Sequence, residues 1–166
     1  MKCQECGAAM ALSGEREEID YPCGLPDVRL FGVPAWVCPA CGEREVEIPN
    51  VEGLHRAIKQ GIVVKHGPLT GEEVRFLRSW LGWSGVEAAT MIGGAGATLS
   101  RWERNKQRIT RPHEILLRMY ARFLEPRKKY ADLHTREARE DTDDAPSNPA
   151  RHMHLDATDN WALPAK

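Results

Sequence analysis

Two copies of one short pattern constrain this chain more than any other feature. Cys3-Gln4-Glu5-Cys6-Gly7 and Cys38-Pro39-Ala40-Cys41-Gly42 each set two cysteines two residues apart and follow them with glycine. That gap lets both thiolates of a pair point at one ion, and the glycine tolerates the left-handed backbone that such a turn needs. Two pairs supply four sulfurs, the coordination number of a closed structural zinc site. Cys3, Cys6, Cys38 and Cys41 are therefore the expected ligands of one structural Zn2+ per chain, with no open position for hydrolytic chemistry. The 31 residues between Cys6 and Cys38 exceed the spacing of about 15–20 in a compact ribbon and leave room for a small sheet. The competing reading, two redox motifs or free thiols, lacks the βαβ pattern that accompanies a redox pair. Cys23 is left over and is expected to be a small buried side chain rather than a fifth ligand.

Texture divides the chain into three. Residues 1–48 hold short apolar runs, Val28-Arg29-Leu30-Phe31 and Ala35-Trp36-Val37, punctuated by Gly and Pro, which predicts a few strands and turns. Residues 49–69 read as a connector: a short helix from Pro49-Asn50 through Ile58, then a strand over Gly61-Ile62-Val63-Val64, closed by Gly67-Pro68. From residue 70 the period changes. Val74, Leu77 and Leu81, then Ile115, Met119 and Phe123, recur at helical spacing. Thr70 with Glu73 is a capping box, and Thr110 with Pro112 and Glu114 is a second helix start. The expectation is an α+β chain: a zinc-bound module over residues 1–68, four or five helices over 69–131, and a disordered tail over 132–166, where apolar anchors are few.

Charge is distributed along the same divisions. Residues 1–69 carry 7 Lys and Arg against 10 Asp and Glu, residues 70–130 carry 12 against 6, and residues 131–166 carry 4 against 8. A basic middle between acidic ends predicts one region that meets a polyanion. No stretch reaches the roughly 18 apolar residues of a membrane span, and the amino terminus lacks a signal-peptide core. A reducing cytoplasm is the expected compartment, where cysteines serve as ligands or thiols rather than disulfides. No catalytic triad, P-loop or carboxylate pair stands out, so no enzyme is expected.

The run from Trp83 to Glu103 is the second informative feature. Ser84 can cap a short helix, Ala88 and Ala89 thin its inner face, and Gly93-Gly94 supply a tight turn. A second helix, from about Ala95 to Asn105, would bury Leu99 and Trp102 and turn Thr98 and Arg101 outward. A major groove calls for such a helix, anchored by one face and offering its amino-terminal half to base edges. Trp80, Trp83, Phe76, Tyr120 and Phe123 are expected in the core or a dimer contact, and Trp36 over the zinc knuckle.

The run Thr98-Leu99-Ser100-Arg101-Trp102-Glu103-Arg104 resembles the recognition helix of Xre/Cro-type regulators. With the upstream Cys-x-x-Cys-Gly pairs, residues 1–130 are similar to the YgiT-type zinc-finger/helix-turn-helix proteins, which include the MqsA antitoxins. The resemblance implies a cytoplasmic type II antitoxin whose zinc domain grips an mRNA-cleaving ribonuclease toxin. Its helix-turn-helix domain would dimerise and repress the module's own operator. By the same resemblance, base-reading roles would fall on Ala97, Thr98 and Arg101, and Glu103 would bond within the domain; the expected phosphate contacts are Ser84, Arg104, Lys106, Arg108 and Arg111. The chain departs from the pattern in carrying Gly85 and Ala97 where polar readers are common, so direct readout would be thin: either the operator differs from those of the better-known members, or shape and phosphate contacts carry more of the specificity. Two other readings stay open: a stand-alone regulator without a toxin, and a protein-binding adaptor with weakened DNA specificity.

Overall fold

A computed structural model describes residues 1–126 and 153–162. The chain is a mixed α/β protein whose described residues form two compact units. One holds Met1–Pro22, Asp27–Ala57 and residues 153–162; the other holds Cys23–Pro26 and residues 58–126.

The first unit is built on one sheet. Strand β2 (Val28–Val37) is its centre and pairs antiparallel along its length with β1 (Ala11–Asp20). Its other edge is shared: β3 (Arg44–Val46) pairs antiparallel with Ala35–Val37, and β4 (Met153–Asp156) pairs parallel with Val28–Phe31. Val28, Leu30, Val33 and Ala35 are buried, while Arg29 points to solvent and bonds Glu18 and Asp20. β1 is mostly exposed and charged, and its register with β2 shifts between Leu12 and Arg16. There Gly14 takes φ +78°, a conformation that glycine adopts without strain.

The tail expectation is overturned for residues 153–162. Leu155 is fully buried as part of β4, and a 3-10 turn over Ala157–Asp159 brings in Trp161, buried to 1% exposure. Trp161 Nε1 donates to the Pro49 carbonyl at 2.8 Å, and Asn50 Nδ2 donates to Asn160 Oδ1 at 2.7 Å. Two large apolar side chains and an edge of β2 suffice to order ten residues that are polar on average. The rest of the expected tail, His152 included, lies outside the described residues.

The connector is corrected as well. Val51–Val64 is one helix, α1, in place of a short helix and a strand. Leu54, Ile58 and Ile62 are buried at i, i+4, i+8, so the helical period outweighs the β preference of the Ile62-Val63-Val64 run.

The second unit continues with α2 (Gly71–Trp80), α3 (Gly85–Met91), α4 (Gly96–Glu103) and α5 (Arg111–Phe123). Full capping boxes start α2 at Thr70 with Glu73 and α3 at Ser84 with Glu87. α5 starts at Thr110, with Pro112 in its first turn. α3 packs on α4, and α2 packs on both α4 and α5. Val74, Leu77, Trp80, Leu81, Trp83, Ala88, Ile92, Leu99, Trp102, Ile109 and Leu117 are all buried. Glu103 lies inside the unit, bonded to Arg78 at 2.5 Å. Phe76 is buried and Tyr120 meets Trp83 edge-on at 5.2 Å, whereas Phe123 is 72% exposed. No helix among the described residues is long and apolar enough to cross a membrane.

Candidate metal centre and helical surface

The two cysteine motifs fold into matching turns. Gly7 N–H donates to the Cys3 carbonyl at 3.0 Å and Gly42 N–H to that of Cys38 at 2.9 Å. Cys3 N–H donates to Ala8 and Cys38 N–H to Glu43, at 2.9 and 2.8 Å. Both glycines sit in the left-handed region, φ +74° and +79°, as the closing position of each turn requires. The first cysteine of each pair is buried and the second exposed. Cys3 and Cys38 join Met10 in a small apolar cluster covered by Ala8 and Trp36, so Trp36 does pack over the knuckle.

These turns bring all four sulfurs within 4.8 Å of one another. Cys3 lies 3.6 Å from Cys41, and Cys6 lies 3.5 Å from Cys38. A sulfur–sulfur bond is about 2.05 Å, so these are free thiols. A tetrahedron with Zn–S bonds of about 2.3 Å has edges of about 3.8 Å, close to the spacing found here. Four soft donors at this distance can hold a metal ion such as zinc.

Electrostatics point the same way. The Cys41 N–H, donating to the Cys38 sulfur, helps lower that thiol to about 7. Cys41 receives an N–H from Glu43, yet the sulfurs of Cys38, Cys6 and Cys3 outweigh it and push the thiol up to about 12. The Cys38 thiolate is easily formed while Cys6 and Cys41 resist ionisation, which is the condition that a cation relieves. Cys23 stands apart from the cluster, half-buried, and burial raises its thiol.

In the second unit, α3 ends at a turn through Ile92, Gly93 (φ +75°) and Gly94, and α4 follows. Leu99 and Trp102 are buried, Ala97 and Arg101 are exposed, and Thr98 is half-buried. Lys106, Arg108 and Arg111 are exposed beyond α4, and Arg111 approaches Glu114 at 3.4 Å. Arg104 folds back on its own helix, donating to the Ser100 carbonyl and hydroxyl at 3.1 and 2.7 Å. Ser84 is exposed, and its hydroxyl accepts from the Glu87 N–H.

Asn105 carries a role beyond the expected site residues. At φ +53° it ends the α4 segment, accepts the Gly71 N–H at 2.7 Å and donates to Glu72 at 2.6 Å, tying the start of α2 to the end of α4. An Asn a few residues past a helix was the available signal, since Asn enters the left-handed region more readily than most residues. No protein-family model matches the chain, and no curated protein matches it either.

Proposed function

We propose that this chain is a DNA-binding transcriptional repressor in which one structural Zn2+ clamps the first unit and α3–turn–α4 serves as a helix-turn-helix. One observation carries the reading: α4 is anchored by buried Leu99 and Trp102 while Ala97 and Arg101 face solvent beside exposed Lys106, Arg108 and Arg111. α2 and α3 start with side-chain caps, but α4 starts at Ala95 with none, so the N–H groups of Gly96 and Ala97 are open to a phosphate. Arg101 suits a guanine edge, Ala97 a thymine methyl, and Thr98 either base. Ser84, Arg104, Lys106, Arg108 and Arg111 contact phosphate, Arg104 by exchanging its Ser100 bonds for a phosphate oxygen. Exposed Ile115, Met119 and Phe123 on α5 fit a homodimer that matches two half-sites.

By its resemblance to YgiT-type proteins, the chain is further proposed to be a cytoplasmic type II antitoxin. In that role it neutralises an mRNA-cleaving ribonuclease and represses the shared operon, with no catalysis of its own. The adaptor reading is favoured by a single feature, the small exposed residues Gly96 and Ala97 where base readers are wanted.

The test titrates promoter and random DNA with wild type, Arg101→Ala and the double variant Lys106→Ala/Arg108→Ala across salt concentrations. Arg101→Ala is expected to lose preference for the promoter by about tenfold or more, and the double variant to lower the salt slope by about 1.8. Equal wild-type affinity for both DNAs overturns the repressor reading in favour of the adaptor. Co-purification with the product of the neighbouring gene tests the antitoxin role separately.

A further inference from the structure

We infer that the β2 edge at Val28–Phe31, with the Pro49 carbonyl beside it, is a strand-addition site for an extended peptide, held closed by the chain's own residues 153–162. The inference concerns the first unit alone and does not rest on DNA binding.

The contacts of this segment are those by which linear peptides are recognised: a short main-chain ladder for affinity, and side chains in pockets for specificity. The ladder is four residues long and parallel, Val28↔Met153 to Phe31↔Asp156. Leu155 fills one pocket completely and Trp161, six residues on, fills the other, anchored through Nε1 to Pro49. Between them the Asp156 carboxylate accepts the Thr158 N–H and hydroxyl at 2.7 and 2.6 Å, making the bend that brings the tryptophan round. Most side chains around these anchors are exposed or half-buried. His154 stacks on Phe31 with ring centroids 5.0 Å apart.

The rest of the sheet does not need this segment for its connectivity. β1, β2 and β3 follow one another in sequence and pair as neighbours, and the cysteine turns flank them. β4 arrives from more than a hundred residues later in the sequence and takes the stretch of β2 that β3 leaves open. Removing it would bare the Asp27 carbonyl and the alternate main-chain groups of Val28–Phe31 that face that edge, a template for another strand. A partner binding here presents an extended segment with an aliphatic side chain on its strand and an aromatic one six residues later. It must displace the resident segment, so binding and release of residues 153–162 are coupled.

The experiment uses the full chain and a fluorescently labelled peptide of residues 151–166. Leu155→Asp and, separately, Trp161→Ala are introduced in the protein, and peptide binding is read by anisotropy. Hydrogen exchange at Val33, opposite Glu17 of β1, and at Ala35, opposite Val46 of β3, reports whether β2 remains paired with its other neighbours. Both variants are expected to bind one peptide per chain with β2 protection retained. Wild type should bind at least about tenfold more weakly, because its own segment competes at high effective concentration. A labelled peptide carrying Leu155→Asp should not bind. The inference is overturned if either variant loses protection at Val33 and Ala35, because the segment is then an inseparable part of the sheet. Equal binding to wild type and variants, or no binding to variants whose sheet is intact, overturns it as well.

Discussion

Arg78 Nε donates to Glu103 Oε1 across 2.5 Å, and the same guanidinium donates through its NH1 to the Trp83 carbonyl at 2.9 Å. One side chain thus joins the last turn of α2, the loop before α3 and the end of α4, with both members of the pair largely shielded from water. Removing one partner of a shielded pair leaves the other charge uncompensated. Glu103→Ala and Arg78→Ala are each expected to destabilise the helical unit by about 2–4 kcal/mol. A double-mutant cycle followed by urea unfolding of the helical signal checks this: the double variant should cost much less than the two single losses added together.

The cysteine cluster makes a prediction about protons. At pH 7.5 Cys38, with its thiol at about 7, is mostly ionised, whereas Cys6 (raised from 9.0) and Cys41 (at about 12) keep theirs. Thiolates, not thiols, ligate zinc, so binding must expel the protons that remain. Adding zinc to the metal-free chain at this pH should release at least two protons per ion, read with an indicator dye. Affinity should fall as pH drops through 7 and Cys38 also becomes protonated. Cys38→Ser should lose the ion and loosen the first unit. A chain that binds zinc with no proton release would contradict this charge assignment.

How much of this was legible in the sequence depends on range. The cysteine turns, the Thr70 and Ser84 caps and the Ile92–Gly94 turn are local devices, and their residues announced them. Glu103 bonds within its unit, as the likeness of its helix to the Xre/Cro type implies, and its neighbours Leu99 and Trp102 are buried on the same helix. The Ile62-Val63-Val64 run misled because β-branched residues favour strands locally, whereas burial of Leu54, Ile58 and Ile62 follows a period that spans the whole of α1. β4 was invisible for a different reason. Four residues of His-Leu-Asp texture carry no periodicity worth reading, and what orders them is an edge of β2 more than a hundred residues away. Pairing of that kind is not written in the segment itself.

Two glycines of the helical unit should respond oppositely to alanine. A Cβ at Gly71 would meet the Trp102 and Glu103 carbonyl oxygens at 2.5 and 2.7 Å, both backbone atoms, and Asn105 Oδ1 at 2.8 Å. Gly71→Ala must therefore push α2 away from the end of α4, at a cost of about 1–3 kcal/mol. At Gly85, the first residue of α3, a Cβ meets nothing within 4 Å. Gly85→Ala should be neutral or stabilising by up to about 1 kcal/mol through helix propensity. Thermal unfolding of the two variants side by side checks the contrast, and a Gly71→Ala protein as stable as wild type would refute the close approach.

The end of α1 depends on a residue of α5. Arg118 donates through Nη1 to the carbonyls of Ile62, Val63 and Lys65 at 3.0, 2.8 and 3.1 Å, and through Nη2 to that of Gly67 at 2.8 Å. Its Nε bonds Glu114, a carboxylate 2% exposed. The last carbonyls of a helix lack intrahelical partners, and a cation there also meets the negative end of the helix dipole. Arg118→Met keeps most of the aliphatic stem but strips four carbonyls of this donor and leaves the buried carboxylate only the 3.4 Å contact with exposed Arg111, so a loss of about 3–5 kcal/mol is expected. Arg118→Lys should recover little, because one ammonium carries three donors and cannot span the four carbonyls and the carboxylate that the planar guanidinium reaches. Pairing Arg118→Met with Glu114→Leu should restore part of the stability by removing a buried charge left with Arg111 alone. The decisive readout is hydrogen exchange at the last turn of α1: it should accelerate in both Arg118 variants, and unchanged protection there would show that the carbonyl contacts do not hold the helix end.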